Sequence, residues 1–150
     1  MGQSLVQLYI HAVWSTKHRQ PFLRLVERRK RLFAYMTGIC TNHHSPAILI
    51  GGTEDHCHLL IRLDKTIELS RLICEVKKEA SRWAKTELLL SNFYWQAGYG
   101  AFSISPSHVE RLKVYIANQE EHHRKVTFQD EFRILCKKYH LKIDERYAWE

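Results

Sequence analysis

The sequence predicts one α+β domain, an antiparallel sheet of ferredoxin-like arrangement with helices packed on it. Two periodicities carry that expectation: short β-branched and aromatic segments, and longer segments whose apolar residues recur at helical intervals, in the order β-α-β-β-α-β-α-α. A third observation fixes one pairing. The apolar runs 47–50 and 56–62 are joined only by Gly51-Gly52-Thr53-Glu54-Asp55, a hairpin connection that makes them antiparallel neighbours. With 150 residues, 45% of them apolar, and no repeat, low-complexity tract or linker, the chain reads as a single domain over 1–150 with a sizeable core.

Residues 4–15 open as a strand in which Val6, Leu8, Ile10, Ala12 and Trp14 make one apolar face. A basic loop from Thr16 to Pro21, carrying Lys17 and Arg19, interrupts it. Leu25, Leu32, Phe33, Met36, Ile39 and Cys40 then predict a first helix over about 23–42, with Arg28, Arg29, Lys30 and Arg31 on its early turns. Such a basic run is ordinarily a solvated face, and here it could also meet phosphates. Asn42 to Pro46 breaks the helix and leaves His43 and His44 as loop residues. After the hairpin, apolar residues at 69, 72, 73, 76, 80 and 83 line one face of a second helix over about 68–89; Arg71, Lys77, Lys78, Arg82 and Lys85 occupy its other faces.

Residues 93–105 are aromatic and glycine-punctuated, and partly a fourth strand. Their rings suit stacking on single-stranded bases and suit closing the core equally well. Ser105 followed by Pro106 predicts the cap of a third helix over about 106–123, with an apolar stripe of Val109, Leu112 and Ile116 and with Tyr115 and Gln119 on one flank. Glu120 to Lys125 reads as a charged exit. Thr127 predicts the cap of a last helix through about Tyr139, its core side formed by Phe128, Phe132 and Leu135. The ending 141–150, with Tyr147 and Trp149, is too aromatic for a free tail and is expected to pack on its own body or on a partner subunit.

Lys and Arg total 23 against 16 acidic residues, a net charge of +7 and a pI near 9.3, which favours a polyanionic partner without specifying it. Cys40, Cys57, Cys74 and Cys136 form no Cys-x-x-Cys pair, which excludes a zinc knuckle or dithiol redox motif; each reads as a reduced core thiol of a cytosolic protein. There is no apolar signal segment, myristoylation pattern or run of membrane-spanning length. A cytoplasmic protein with no membrane partner is expected.

The chemistry-bearing stretch is His56-Cys57-His58. On a strand the two histidines point to one face while Cys57, Leu59 and Ile61 point to the other, so two neutral imidazoles could hold one divalent cation. Taken alone, such a pair more often belongs to ordinary surface or hydrogen-bonded core histidines. Tyr115 to Gln119, on a later helix, can complete a site with a phenol and an amide.

On these residues the sequence resembles the IS200/IS605-type single-strand DNA transposases of the HUH superfamily of one-tyrosine nucleases. The resemblance rests on His56-Cys57-His58-Leu59-Leu60-Ile61, on Trp95 to Ser103, on Tyr115 to His123 and on the opening strand Tyr9 to Trp14, and so spans nearly the whole chain. It implies the HUH endonuclease fold, His56 and His58 as metal ligands, Gln119 as the third protein ligand, Tyr115 as nucleophile, and Mg²⁺ or Mn²⁺ as the ion. It also implies a homodimer, in which the third helix can set its tyrosine against the histidine pair of the other subunit, and single-stranded DNA with hairpin ends as partner. Lys17, Arg19, Arg28, Arg29, Lys30, Lys77, Lys78 and Arg82 would bind that DNA. Cys57 stands where the family more often has a bulkier aliphatic residue and Glu54 where proline is frequent; cysteine is itself a small hydrophobe, so activity is not put in doubt.

The implied chemistry is coherent. Cutting a phosphodiester and rejoining it without an external energy source requires a covalent link that stores the bond, as a 5'-phosphotyrosine does. Two imidazoles and an amide would leave the ion its full charge to polarise a phosphate oxygen and the leaving 3'-oxygen. Imidazole ligands tilt affinity toward Mn²⁺, while abundance favours Mg²⁺. The competing expectation is an inactive or domesticated hairpin-DNA-binding protein of the same fold, which has no need of the full set His56, His58, Tyr115 and Gln119. A replication or plasmid-transfer nickase is opposed by the short chain, and an RNA-binding module by the lack of a Lys/Arg-Gly-aromatic strand signature.

Overall fold

The computed structural model describes residues 2–150. Four strands, β1 (Tyr9–Ser15), β2 (Ala47–Gly52), β3 (His56–Arg62) and β4 (Gly100–Ile104), form one antiparallel sheet in the order β2-β3-β1-β4. Helix α1 (Val26–Asn42) connects β1 to β2 and α2 (Leu69–Glu87) connects β3 to β4, which gives the βαββαβ ferredoxin-like arrangement expected from the sequence. Three further helices follow: α3 (Val109–Ala117), α4 (Gln119–His122) and α5 (Phe128–Lys138).

The two central strands divide the molecule. Alternation turns Ala12, Trp14, Cys57, Leu59 and Ile61 to one face, where Leu32, Met36 and Ile39 of α1 and Leu72, Ile73, Val76 and Ala80 of α2 bury against them. Each large apolar side chain buried there contributes about 1.5–3 kcal/mol. His11, Val13, His56 and His58 face the opposite way, and α3 to α5 cover that side through Phe128 and Cys136 packed with Val13 and Phe102. The functional candidates therefore sit under the C-terminal helices, across the sheet from α1 and α2.

Helix α3 is held hard against β2. A Cβ on Gly51 would stand 2.7 Å from the Ile116 carbonyl oxygen, so only glycine lets the backbone beside Tyr115 approach this closely. Thr127 caps α5 as expected, its Oγ1 accepting from the Asp130 N–H at 3.2 Å. The chain end packs on its own body: Trp149 lies 5.8 Å from Phe132 between ring centroids, and the Gln96 amide donates to the Ala148 carbonyl at 3.2 Å.

Several expectations are corrected. β1 starts at Tyr9 rather than residue 4, because its ladders end at Tyr9 with Arg62 and Ile104, leaving Leu5, Val6 and Leu8 exposed. Ser105 makes no cap bond; its hydroxyl lies 3.1 Å from that of Ser107, and a 3₁₀ turn over Pro106–His108 precedes α3. The third helix is broken at Asn118, whose ψ of 21° separates α3 from α4. Cys40, Cys57 and Cys136 are buried, but Cys74 is exposed because the turn of α2 that buries Leu72, Ile73 and Val76 faces it outward.

Of the aromatic segment, Phe93 and Trp95 close the core while Tyr94 and Tyr99 are exposed. Lys77 holds this segment down: its ammonium donates to the carbonyls of Gln96, Ala97 and Gly98 and lies 5.4 Å from the Trp14 ring, and burial lowers its pKa to about 8. Arg29 is likewise taken inward. It is 6% exposed, donates to the Leu23 carbonyl at 2.9 Å and pairs with Glu120, so it ties α1 to α4 rather than facing solvent phosphates.

Arg29→Ala is expected to cost about 2 kcal/mol through the loss of bonds to a charged group. Arg28→Ala, one residue away on a half-exposed surface, should stay within about 0.5 kcal/mol. Urea unfolding of the two variants checks the contrast, and equal costs would contradict the role given to Arg29.

Candidate active site

His56 and His58 are fully buried on the central strand, and each is oriented from behind. The His56 Nδ1 lies 2.7 Å from Asp55 Oδ1, so its proton belongs on Nδ1 and the Nε2 lone pair points into the site. Gln119 Oε1 faces that lone pair at 3.1 Å, while the Gln119 amide nitrogen donates to Glu131 Oε2 at 3.2 Å. Two acceptors turned toward each other at this distance call for a positive centre between them, a proton or a cation. His58 Nδ1 lies 2.8 Å from His11 Nε2, and the placement of their shared proton decides whether His58 Nε2 donates or offers a lone pair.

Tyr115, on α3, meets this group within the same chain. Its ring centroid is 5.8 Å from that of His58 and 6.5 Å from that of His11, edge to face in both cases. The four residues singled out from the sequence, His56, His58, Tyr115 and Gln119, thus converge in one chain. The tyrosine stands against its own histidines, held there by the close seat of α3 on β2 at Gly51.

The sequence reading missed the residue at the centre. Glu131, in the first turn of α5, is 2% exposed. Its Oε1 lies 2.8 Å from His58 Nε2, 3.1 Å from His123 Nε2 and 3.7 Å from His56 Nε2. Its Oε2 accepts the Tyr115 hydroxyl and the Gln119 amide and lies 3.2 Å from His122 Nε2. A carboxylate thus sits among the imidazoles. His56 and Gln119, whose lone pairs face each other, with His58 beside them, fit a divalent ion.

Electrostatics follow from burial and this one charge. Burial, aided by the neighbouring His58, lowers the pKa of His11 to about 3; burial lowers that of His58 to about 4 against the pull of Glu131, so both are neutral at pH 7. Burial alone would raise the Glu131 pKa, but the adjacent His123 ring and the bonds from His58 and Tyr115 outweigh it and hold the carboxyl well below its usual range. Burial and the Glu131 charge together push the Tyr115 phenol far above its ordinary value. A cleft of about 650 Å³ between α3 and α5 opens onto Tyr115, with His108, Arg111 and Lys138 among its lining residues.

The basic residues are less concentrated. Arg28, Lys30, Lys78 and Arg82 lie on α1 and α2, across the sheet from Tyr115, and Lys17 and Arg19 lie on a 3₁₀ turn just after β1. Arg29 and Lys77 are engaged in the bonds already described.

A ferredoxin-like sheet that presents a His-x-His strand to a helix tyrosine defines an HUH-type domain. The family model described as Transposase IS200 like matches residues 4–119, and the chain belongs to that family. Among solved structures it is similar to a protein assigned as a transposase from Deinococcus radiodurans R1, at 21% identity and a TM-score of 0.62, covering 79% of this chain and 96% of that one. It is also similar to a REP-associated tyrosine transposase bound to a REP hairpin, at 15% identity and a TM-score of 0.60, covering 84% of this chain and 74% of that one. No curated protein sequence matches it significantly. Among the described residues no helix is long and apolar enough to cross a membrane.

Acid is expected to destabilise the domain. The unfolded chain takes up protons near pH 6.5 that folded His11 and His58 refuse until about 3 and about 4, so their contribution is complete above 6.5 and is lost as pH falls. His123, whose pKa is raised, works in the opposite sense and gives up its contribution as pH rises. Urea midpoints measured from pH 7 to pH 4 should fall; a midpoint that climbs over that interval would contradict the burial of two neutral histidines.

Proposed function

We propose that this transposase-family chain cuts and rejoins single-stranded DNA at hairpin-marked element ends through a 5'-phosphotyrosine on Tyr115, with Mg²⁺ or Mn²⁺ held by His56, His58 and Gln119. The single observation that carries this reading is the convergence, within one chain, of the Tyr115 phenol with the histidine pair and the Gln119 amide. A bound ion would supply Lewis-acid stabilisation of charge on the phosphate and on the leaving 3'-oxygen.

The chain's own residues perform the rest. The Tyr115 oxygen forms the bond to phosphorus, the 3'-oxygen of the preceding nucleotide departs with the electron pair of the broken P–O bond, and the phenolic proton has an acceptor already in contact, Glu131 Oε2. Rejoining reverses the exchange, with a 3'-hydroxyl displacing the tyrosine. Asp55 and Thr53 keep the His56 ring in the tautomer that leaves its inward nitrogen free, and His11 sets the ring of His58.

The similar fold of a transposase bound to a REP hairpin supports a hairpin as the recognised feature. Exposed Lys17, Lys30, Lys78 and Arg82, with partly exposed Arg19 and Arg28, supply phosphate contacts; Arg29 and Lys77 are not counted among them. The seat of Arg28, Lys30, Lys78 and Arg82 across the sheet from Tyr115 separates holding the stem from cutting the strand. The homodimer implied by the resemblance is part of the same reading, each chain carrying the four residues of one centre.

Incubation with a hairpin-bearing single-stranded oligonucleotide and Mn²⁺ should yield a covalent adduct visible on a denaturing gel, absent in Tyr115→Phe and lost or strongly reduced in His56→Ala. An adduct that persists in Tyr115→Phe would remove the nucleophile, and hairpin binding without cleavage under any divalent ion would favour the inactive-binder reading. Lys30→Ala and Lys78→Ala should each weaken hairpin binding and lower the slope of log K against log salt by about 1 per lost phosphate contact.

A further inference from the structure

Two donors at the centre have no part in the ligand set proposed so far. His123 follows α4 directly, and its side chain is 9% exposed. Its Nε2 has no hydrogen-bond partner: Glu131 Oε1 is 3.1 Å away but not aligned for a bond. A buried ring nitrogen left in this state is costly unless something else uses it. Its ring lies edge to face with His56 at a centroid separation of 4.3 Å. One ligand atom from each of His56, His58, His123 and Glu131 can be chosen so that all four lie within 4.8 Å of one another.

We propose that His123 and Glu131 are further ligands of the ion held by His56 and His58, and that this set of three imidazoles and one carboxylate takes a first-row transition ion in preference to Mg²⁺. The proposal rests on the metal-site reading above and extends it. Imidazole nitrogens suit transition ions, whereas Mg²⁺ keeps oxygen ligands and much of its water. A set this rich in protein donors leaves little room for that water. The single carboxylate also lowers the net charge of the loaded site to +1.

Glu131 has a second consequence here. Oε1 faces the three histidines while Oε2 accepts the Tyr115 hydroxyl, so one side chain joins the ion's ligand set to the nucleophile. The ligands come from β3, from the exit of α4 and from α5, so a bound ion ties the C-terminal helices to the sheet. Ion binding should therefore raise the melting temperature, by mass action on the folded state.

The test is direct binding of Mn²⁺ to the full chain by calorimetry, with nitrogen couplings of the bound ion read by pulsed electron paramagnetic resonance. Wild type should bind Mn²⁺ at least about 10-fold more tightly than Mg²⁺ and show three coordinated imidazoles. His123→Ala should reduce that count to two, and both His123→Ala and Glu131→Gln should weaken Mn²⁺ binding at least about 10-fold. Circular dichroism checks that each variant is folded, and the imidazole count of whichever variant stays folded decides the matter. If His56→Ala and His58→Ala weaken binding while His123→Ala and Glu131→Gln leave both affinity and couplings unchanged, this inference is overturned and the original ligand set stands. If none of the four substitutions changes Mn²⁺ binding, the metal-site reading falls with it.

Discussion

Glu131 carries a negative charge into a part of the molecule almost closed to water, and such a charge persists only where donors replace the lost hydration. Here the replacement comes from every element around it: His58 from the central strand, Tyr115 from α3, Gln119 and His122 from α4, with His123 close by. The carboxylate therefore fixes where α5 sits and, through Tyr115, how α3 presents its phenol. Removing it would leave several buried donors unpaired at once.

The sheet supplies the other half of the arrangement. Because alternate residues of β3 face opposite ways, one strand contributes Cys57, Leu59 and Ile61 to the main core while holding His56 and His58 out of it. The two jobs do not compete. Helices α1 and α2 close the core with apolar stripes and turn Arg28, Lys30, Lys78 and Arg82 away from it, leaving the other face to the polar centre. In the proposed function the basic face holds the structured nucleic acid while the polar face exposes one strand to the nucleophile.

Much of this was legible in the sequence. Helical and strand periods located all four strands and the main helices, and the hairpin connector set the pairing of β2 with β3. His56, His58, Tyr115 and Gln119 were recognisable because strand alternation and a four-residue helix step place them on shared faces. Glu131 was missed, yet it left a signal: it lies between Phe128 and Phe132 on the apolar side of α5, where a carboxylate has no reason to be unless partners await it. His123 was hidden in a run of charged residues read as a helix exit, since the break at Asn118 that turns it inward depends on tertiary packing. Arg29 and Lys77 were misjudged for the same reason. Nothing local distinguishes a basic side chain that finds carbonyls and a carboxylate inside the fold from one that stays in solvent.

In the proposed function one chain builds the whole centre around a divalent ion. A crystal structure of the protein with Mn²⁺ and a hairpin-bearing oligonucleotide, with diffraction recorded near the manganese edge, tests it most directly. Anomalous density is expected bounded by His56 and His58, with the DNA phosphate joined to the tyrosine oxygen of that same chain. Density elsewhere, or a histidine pair completed by the tyrosine of a neighbouring molecule, would contradict it.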